Sequence, residues 1–133
     1  PEPGEAPERF NWDAPILVSP HDPHRIWFGS QRVWRSDDRG DSWTAVSDDL
    51  TTDSNRYAME IMGNTRSIDS LWDHGAMSLF STLTAISESP LATGVLYTGS
   101  DDGLIHASDD GGGRSASRSR CWWPVPPRRP RWS

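Results

Sequence analysis

Two stretches of this chain align without a gap. Residues 19–30, SPHDPHRIWFGS, lie over residues 89–100, SPLATGVLYTGS, at a constant offset of 70. Ser19 meets Ser89, Pro20 meets Pro90, Ile26 meets Leu96, Trp27 meets Tyr97 and Gly29 meets Gly99. Further on the offset becomes 72: Val33 meets Ile105, Ser36 meets Ser108 and Gly40 meets Gly112. The two extra residues fall in SDDG, residues 100–103, a hairpin-turn composition that absorbs added length. A segment that recurs in this way is a supersecondary unit that buries its apolar face against its neighbour. The chain is thereby confined to folds built from like units in series.

Each unit reads as short strands with turn residues between them. PILVS (15–19), RIWFG (25–29), RVWRS (32–36) and SWTAV (42–46) are short, β-branched or aromatic, and close together. LTAIS (83–87), VLYTG (95–99) and LIHAS (104–108) repeat the first three. Four-stranded antiparallel units in series are the pattern of β-propeller blades. The expected fold is therefore all-β, a fragment of a β-propeller with nearly two four-stranded antiparallel blades. Residues 1–13 read as a linker or the end of a preceding segment, 14–49 as the first blade and 50–82 as an insert. Residues 83–113 read as a second blade without its fourth strand, and 114–133 as a separate tail. Within the insert, TRSIDSLWDHGAM (65–77) can hold a short helix, with Ser67 as N-cap and Gly75 near its end.

Charge divides the chain at the same place. The net charge is −6, yet all 19 acidic residues lie in 1–113 and the last twenty residues carry six arginines and no acid. An acidic body repels phosphate, which argues against a nucleic-acid partner. No apolar run approaches the ~18 residues that span a membrane. Cys121 is the only cysteine, so no intrachain disulfide forms. Residues 114–133, RSASRSRCWWPVPPRRPRWS, begin where the second unit needs its fourth strand. Proline removes ladder donors and is excluded from central strands. The tail is therefore expected to be foreign to the propeller and to add no strand; a change of reading frame would produce such a break.

SDDRGDSW, residues 36–43, has a partial copy in SDDGG, residues 108–112. A motif that recurs is architecture more often than an active site. The first copy resembles the Asp-box, Ser-x-Asp-x-Gly-x-x-Trp, of the BNR repeat propellers, a group that includes sialidases, xyloglucanase-like glycosidases and sortilin (VPS10) propellers. The surrounding sequence over residues 9–113 resembles a bacterial branch described as glycosyl-hydrolase-like or VPS10-like, whose members are often exported. The resemblance implies a turn between the third and fourth strands of a blade, away from any catalytic centre. Ser36, Asp38, Gly40 and Trp43 match the motif, and Ser108, Asp110 and Gly112 match its truncated copy. In such a turn Asp38 accepts backbone N–H groups, Gly40 takes a positive φ and Trp43 packs on the hairpin.

Other candidates are weaker. HDPH places His21, Asp22 and His24 within metal-ligand reach, yet prolines put them in an exposed turn and PLATG, its counterpart, has no ligand. Asp101–Asp102 and Asp109–Asp110 lack the closing Glu of a calcium loop and read as solvated turn acids. Arg56, Tyr57 and Glu60 share residue types with the sialidase site but do not map onto it, so no catalytic residue is assigned. Trp27 and Trp34 fall on repeat strands and read as packing; Trp12 and Trp72 lie outside the repeat and are the candidates for stacking on a ligand. No cofactor is implied. The expected role is a binding or scaffold segment of a larger Asp-box propeller, its partners being further blades and a protein, peptide or glycan. The alternative is a glycoside hydrolase fragment whose paired carboxylates lie partly on other blades.

Overall fold

A computed structural model describes residues 4, 7–67, 69 and 78–112 of the chain. Segments rich in Val, Ile and aromatic residues are extended, since their shape suits a pleated, half-buried surface. β1 (Ile16–Val18), β2 (Ile26–Gly29), β3 (Val33–Ser36) and β4 (Thr44–Ala45) pair in sequence order as one four-stranded sheet. β5 (Glu60–Ile61) and β6 (Asn64–Thr65) make a small hairpin. β7 (Leu83–Glu88), β8 (Leu96–Ser100) and β9 (Ile105–Ser108) form a three-stranded sheet, again in sequence order. Every pairing is antiparallel, so the protein is all-β.

The strand boundaries correct the sequence reading in places. SWTAV contributes only Thr44–Ala45, because the side chains of Ser42 and Trp43 are hydrogen-bonded into the preceding turn. The β5–β6 hairpin was not anticipated. Its loop is Met62–Gly63, with φ of 54° and 78°, and methionine is not a turn signal. A short 3-10 turn over Arg56–Ala58 precedes it, capped by Asn55, whose side chain accepts from the Tyr57 N–H. The helix expected within 65–77 lies largely outside the described residues, as do Trp72 and the tail 114–133.

The repeat extends to single hydrogen bonds. Ser19 N–H donates to Arg25 O at 2.9 Å, and Ser89 N–H to Val95 O at 2.8 Å. Arg39 N–H donates to His24 O at 2.9 Å, and Gly111 N–H to Gly94 O at 2.8 Å. The inserted residues lengthen the β8–β9 turn, yet Ser30 and Ser100 keep the same role. Each accepts through its hydroxyl the N–H of the residue that re-enters the hairpin, Arg32 or Leu104, at 3.2 Å.

The two sheets pack face to face through different faces of the repeat. Leu17, Trp27 and Arg35 are cross-strand neighbours on one side of the first sheet, as are Gly29 and Val33. From the second sheet, Ile86, Thr98 and His106 form one row and Glu88, Leu96 and Ser108 another on the same side. Trp27, Val33, Val46, Leu83 and Leu96 make the buried core, flanked by Leu17, Leu50 and Ile86. Ser30 O accepts the Leu83 N–H at 2.7 Å and fixes the approach.

Gly29 lies against both Pro15 of its own sheet and Leu83 of the other. A Cβ there would lie 2.8 Å from Pro15 Cγ and 3.1 Å from Leu83 Cβ. Gly29→Ala should therefore destabilise by about 1–3 kcal/mol, the range for overpacking a filled core. Urea unfolding measures it, and an unchanged midpoint would show that Pro15 and Leu83 give way without cost.

Candidate functional site

The Ser36–Trp43 turn is held by its own polar side chains. Ser36 Oγ donates to Asp38 Oδ1 at 2.7 Å and accepts the Gly40 N–H at 2.7 Å. Asp38 Oδ1 also accepts the Ser42 N–H at 2.9 Å, while the Ser42 hydroxyl donates to the other carboxylate oxygen. Gly40 has φ 102° and Arg39 φ 65°, so two successive residues are left-handed. Trp43 donates its indole N–H to Gly40 O at 3.0 Å and tilts its ring on Phe28 at 5.9 Å, and Phe28 stacks on Phe10 at 5.3 Å. The indole remains partly exposed, covering the turn rather than filling the core.

The Asp38 carboxyl is held at about 2, led by the side-chain hydrogen bond from Ser42, then its backbone N–H and Ser36. Both carboxylate oxygens accept from donors within the turn. A carboxylate so occupied is a poor proton shuttle near neutral pH, where acid–base catalysts are tuned to work. Asp38→Ala should lower the melting temperature by on the order of 5 °C, the effect of losing a few local bonds in a small domain. A normal melt combined with loss of a binding or catalytic activity would assign Asp38 to function instead.

The second turn repeats this geometry. Ser108 Oγ donates to Asp110 Oδ1 at 2.6 Å and accepts the Gly112 N–H at 3.1 Å. Gly111 and Gly112 have φ of 70° and 79°, matching Arg39 and Gly40 in sign. This turn also seals the junction. A Cβ on Gly112 would meet Val46 Cγ2 at 2.9 Å, and one on Gly111 would touch the Trp27 ring at 4.0 Å.

HDPH is engaged internally. His21 Nε2 lies 2.8 Å from Ser89 O, joining the β1–β2 turn to its counterpart in the second sheet. Asp22 is held below the ordinary carboxylate range, first by the His24 N–H that it accepts at 2.9 Å. The His24 ring lies 3.3 Å from Asp22 Oδ1 through Nδ1 and 2.9 Å from Arg39 through Nε2. Among the described residues no group of three or more His, Cys, Asp or Glu is arranged to hold a metal ion.

The opposite end, at the β2–β3 and β8–β9 turns, corrects the reading of Asp101 and Asp102 as solvated acids. Asp101 accepts the Thr82 N–H at 2.9 Å and its hydroxyl at 3.1 Å. Asp102 accepts the Thr52 N–H at 2.6 Å and its hydroxyl at 2.8 Å, as well as the Ser100 hydroxyl. Burial raises the Asp102 pKa, but hydrogen bonds from Ser100, Thr52 and Ser81 outweigh it and leave it lowered. Arg9 ties the same end together: Nη2 reaches Asp49 at 2.6 Å, Nη1 reaches Asp53 at 2.9 Å and Nε donates to Ser81 O at 3.2 Å. Trp12 stands largely exposed beside this end of the chain, between Asn11, which donates to Thr82 Oγ1 at 3.1 Å, and Asp13. Arg56 lies over the Phe80 ring at 5.1 Å, Tyr57 is in the 3-10 turn and Glu60 opens β5.

Glu88 is the polar residue that the motif reading passed over. It is buried at the end of β7, where the repeat places Val18 in the first sheet. Oε2 accepts the Trp27 indole N–H at 2.9 Å and Oε1 accepts the Gly94 N–H at 2.9 Å. Burial raises its pKa, yet hydrogen bonds from Ser19, Gly94 and Trp27 and the charge of His21 leave it below 4.5. The carboxylate thus joins β2 of one sheet to β7 and the β7–β8 turn of the other. The break in the repeat at Val18 was the signal available.

A scan against protein-family models and a search of curated proteins found no match to this chain. Among the described residues no helix is long and apolar enough to cross a membrane.

Proposed function

We propose that this chain is a binding or scaffold segment of an Asp-box β-propeller, its two sheets serving as successive blades and its partner a protein, peptide or glycan. The observation that supports this reading is the matched pair of turns. Ser36 and Ser108 each donate to an Asp two residues on and accept the N–H of a glycine four residues on. Both turns are knitted to the β1–β2 or β7–β8 turn of the same sheet by one equivalent backbone bond. Side chains spent on turn geometry are not available for chemistry, so any ligand falls to the other end, where Trp12 is exposed. A flat exposed indole suits a sugar face or an apolar peptide side chain.

Glycan and peptide arrays probed with the chain test the reading, followed by titration of the best ligand. Trp12→Ala is expected to weaken binding about tenfold, while Asp38→Ala leaves the affinity per folded molecule unchanged. Hydrolysis of a bound glycan would favour the glycosidase reading, and loss of binding in Asp38→Ala but not in Trp12→Ala would refute this one.

A further inference from the structure

The cradle around Arg9 fits a guanidinium and not merely a positive charge. Nη2 reaches Asp49 at 2.6 Å and Thr51 Oγ1 at 3.2 Å, Nη1 reaches Asp53 at 2.9 Å, and Nε donates to Ser81 O at 3.2 Å. Each nitrogen of the fork has its own acceptor, an arrangement that a lysine ammonium, with its donors on one atom, cannot meet. The acceptors are also fixed by contacts that do not involve Arg9. Asp49 Oδ1 accepts both the N–H of Thr51, at 2.8 Å, and its hydroxyl, at 2.6 Å. The Asp53 N–H donates to Thr51 Oγ1 at 3.2 Å, and the Ser81 hydroxyl accepts the Ser54 N–H at 2.8 Å. The cradle therefore belongs to residues 49–54 and 81, and Arg9 enters it from outside.

The segment that carries Arg9 is held as a bound peptide would be. Residues 7–13 belong to none of the strands β1–β9. The Arg9 N–H is taken by a side chain, Gln31 Oε1, at 2.8 Å. On one side of it Glu8 accepts the Ser30 hydroxyl at 2.7 Å and pairs with Arg32 at 3.3 Å; on the other, Phe10 stacks on Phe28 and Asn11 donates to Thr82 Oγ1. Contacts of this kind can pass from one segment to another without undoing a β-ladder.

We infer that Asp49, Thr51, Asp53 and Ser81 form a recognition site for an arginine side chain of a peptide partner, with Arg9 as its resident occupant. A partner's arginine must displace Arg9, whose tether gives it an effective concentration on the order of millimolar. The segment 8–11 is thus a strap that sets a threshold on binding. Nothing in this depends on Trp12 or the Asp-box, so a failure of the Trp12 prediction leaves it standing.

N-acetyl-arginine amide is the probe and N-acetyl-lysine amide the control, both added to the full chain. In Arg9→Ala, shown to be folded by circular dichroism, the arginine amide is expected to raise the melting temperature saturably and the lysine amide to leave it unchanged. Adding Asp49→Asn and Asp53→Asn to Arg9→Ala should abolish the shift. In the wild type the half-saturating concentration should be at least about tenfold higher, because Arg9 competes. There hydrogen exchange follows the displacement: the arginine amide should speed exchange of the Arg9 N–H, a measurement that stands even if Arg9→Ala does not fold. No response of either form to the arginine amide overturns the inference, as does an equal response to the lysine amide, which would make the cradle a site for charge alone. Equal half-saturation in the wild type and Arg9→Ala would place the ligand elsewhere and also overturn it.

Discussion

Trp27→Ala is expected to cost about 3–5 kcal/mol, the range for truncating a large buried aromatic, and so to unfold most of a chain this small. Trp27 is fully buried in the core that the two sheets share. It packs in the shared core and donates to Glu88, so removing it opens a void and strands a carboxylate oxygen together. Trp27→Phe separates the two effects, keeping most of the apolar volume while deleting the indole donor. Its cost should fall to about 1–3 kcal/mol, the scale of one unmet buried hydrogen bond. Urea unfolding followed by circular dichroism measures both. Equal losses for Phe and Ala would mean that packing contributes little and the hydrogen bond dominates.

Glu88→Ala should be nearly as damaging, at about 3 kcal/mol, because it leaves the Trp27 indole N–H and the Gly94 N–H without their acceptor. The wild-type protein should also lose stability in acid through this group. Its folded pKa lies below 4.5, so the unfolded chain takes up the proton first as pH falls. The Glu88 contribution is then fully present above about pH 4.5 and fades as pH drops through the folded value. Glu88→Gln, which retains an acceptor oxygen, should be less stable than wild type at pH 7 and the gap should narrow toward pH 3. A gap that stays constant with pH would show that the charge on Glu88 contributes nothing to the junction.

Much of the sheet architecture was readable because strand residues and turn residues alternate over short distances. RIWFG and RVWRS sit two residues apart, and a hairpin is nearly the only way to use them. The turn geometry at Ser36 and Asp38 was readable for the same reason, since its partners lie within four residues. What escaped was long-range. Glu88 finds Trp27 across 61 residues, and LTAIS stops one residue short of it as a pattern. Asp102 looks solvated beside Gly103, yet its partner Thr52 arrives from the segment after the first sheet, 50 residues away. Local composition carries no record of which distant donor will reach a carboxylate.

The two residues added in the β8–β9 turn have a consequence for how such a chain can diverge. Gly29 faces Val33 across one hairpin and Gly99 faces Ile105 across the other, so the loops differ by an even number. Side chains alternate sides along a strand, and an even addition returns every later residue to its ancestral side. An odd addition would turn Ile105, Ala107 and the Ser108 turn inside out together. Duplicated units of this kind can therefore drift in length at that corner in steps of two, gaining acids such as Asp101 and Asp102 as new fasteners while the inward and outward lettering of the copy survives.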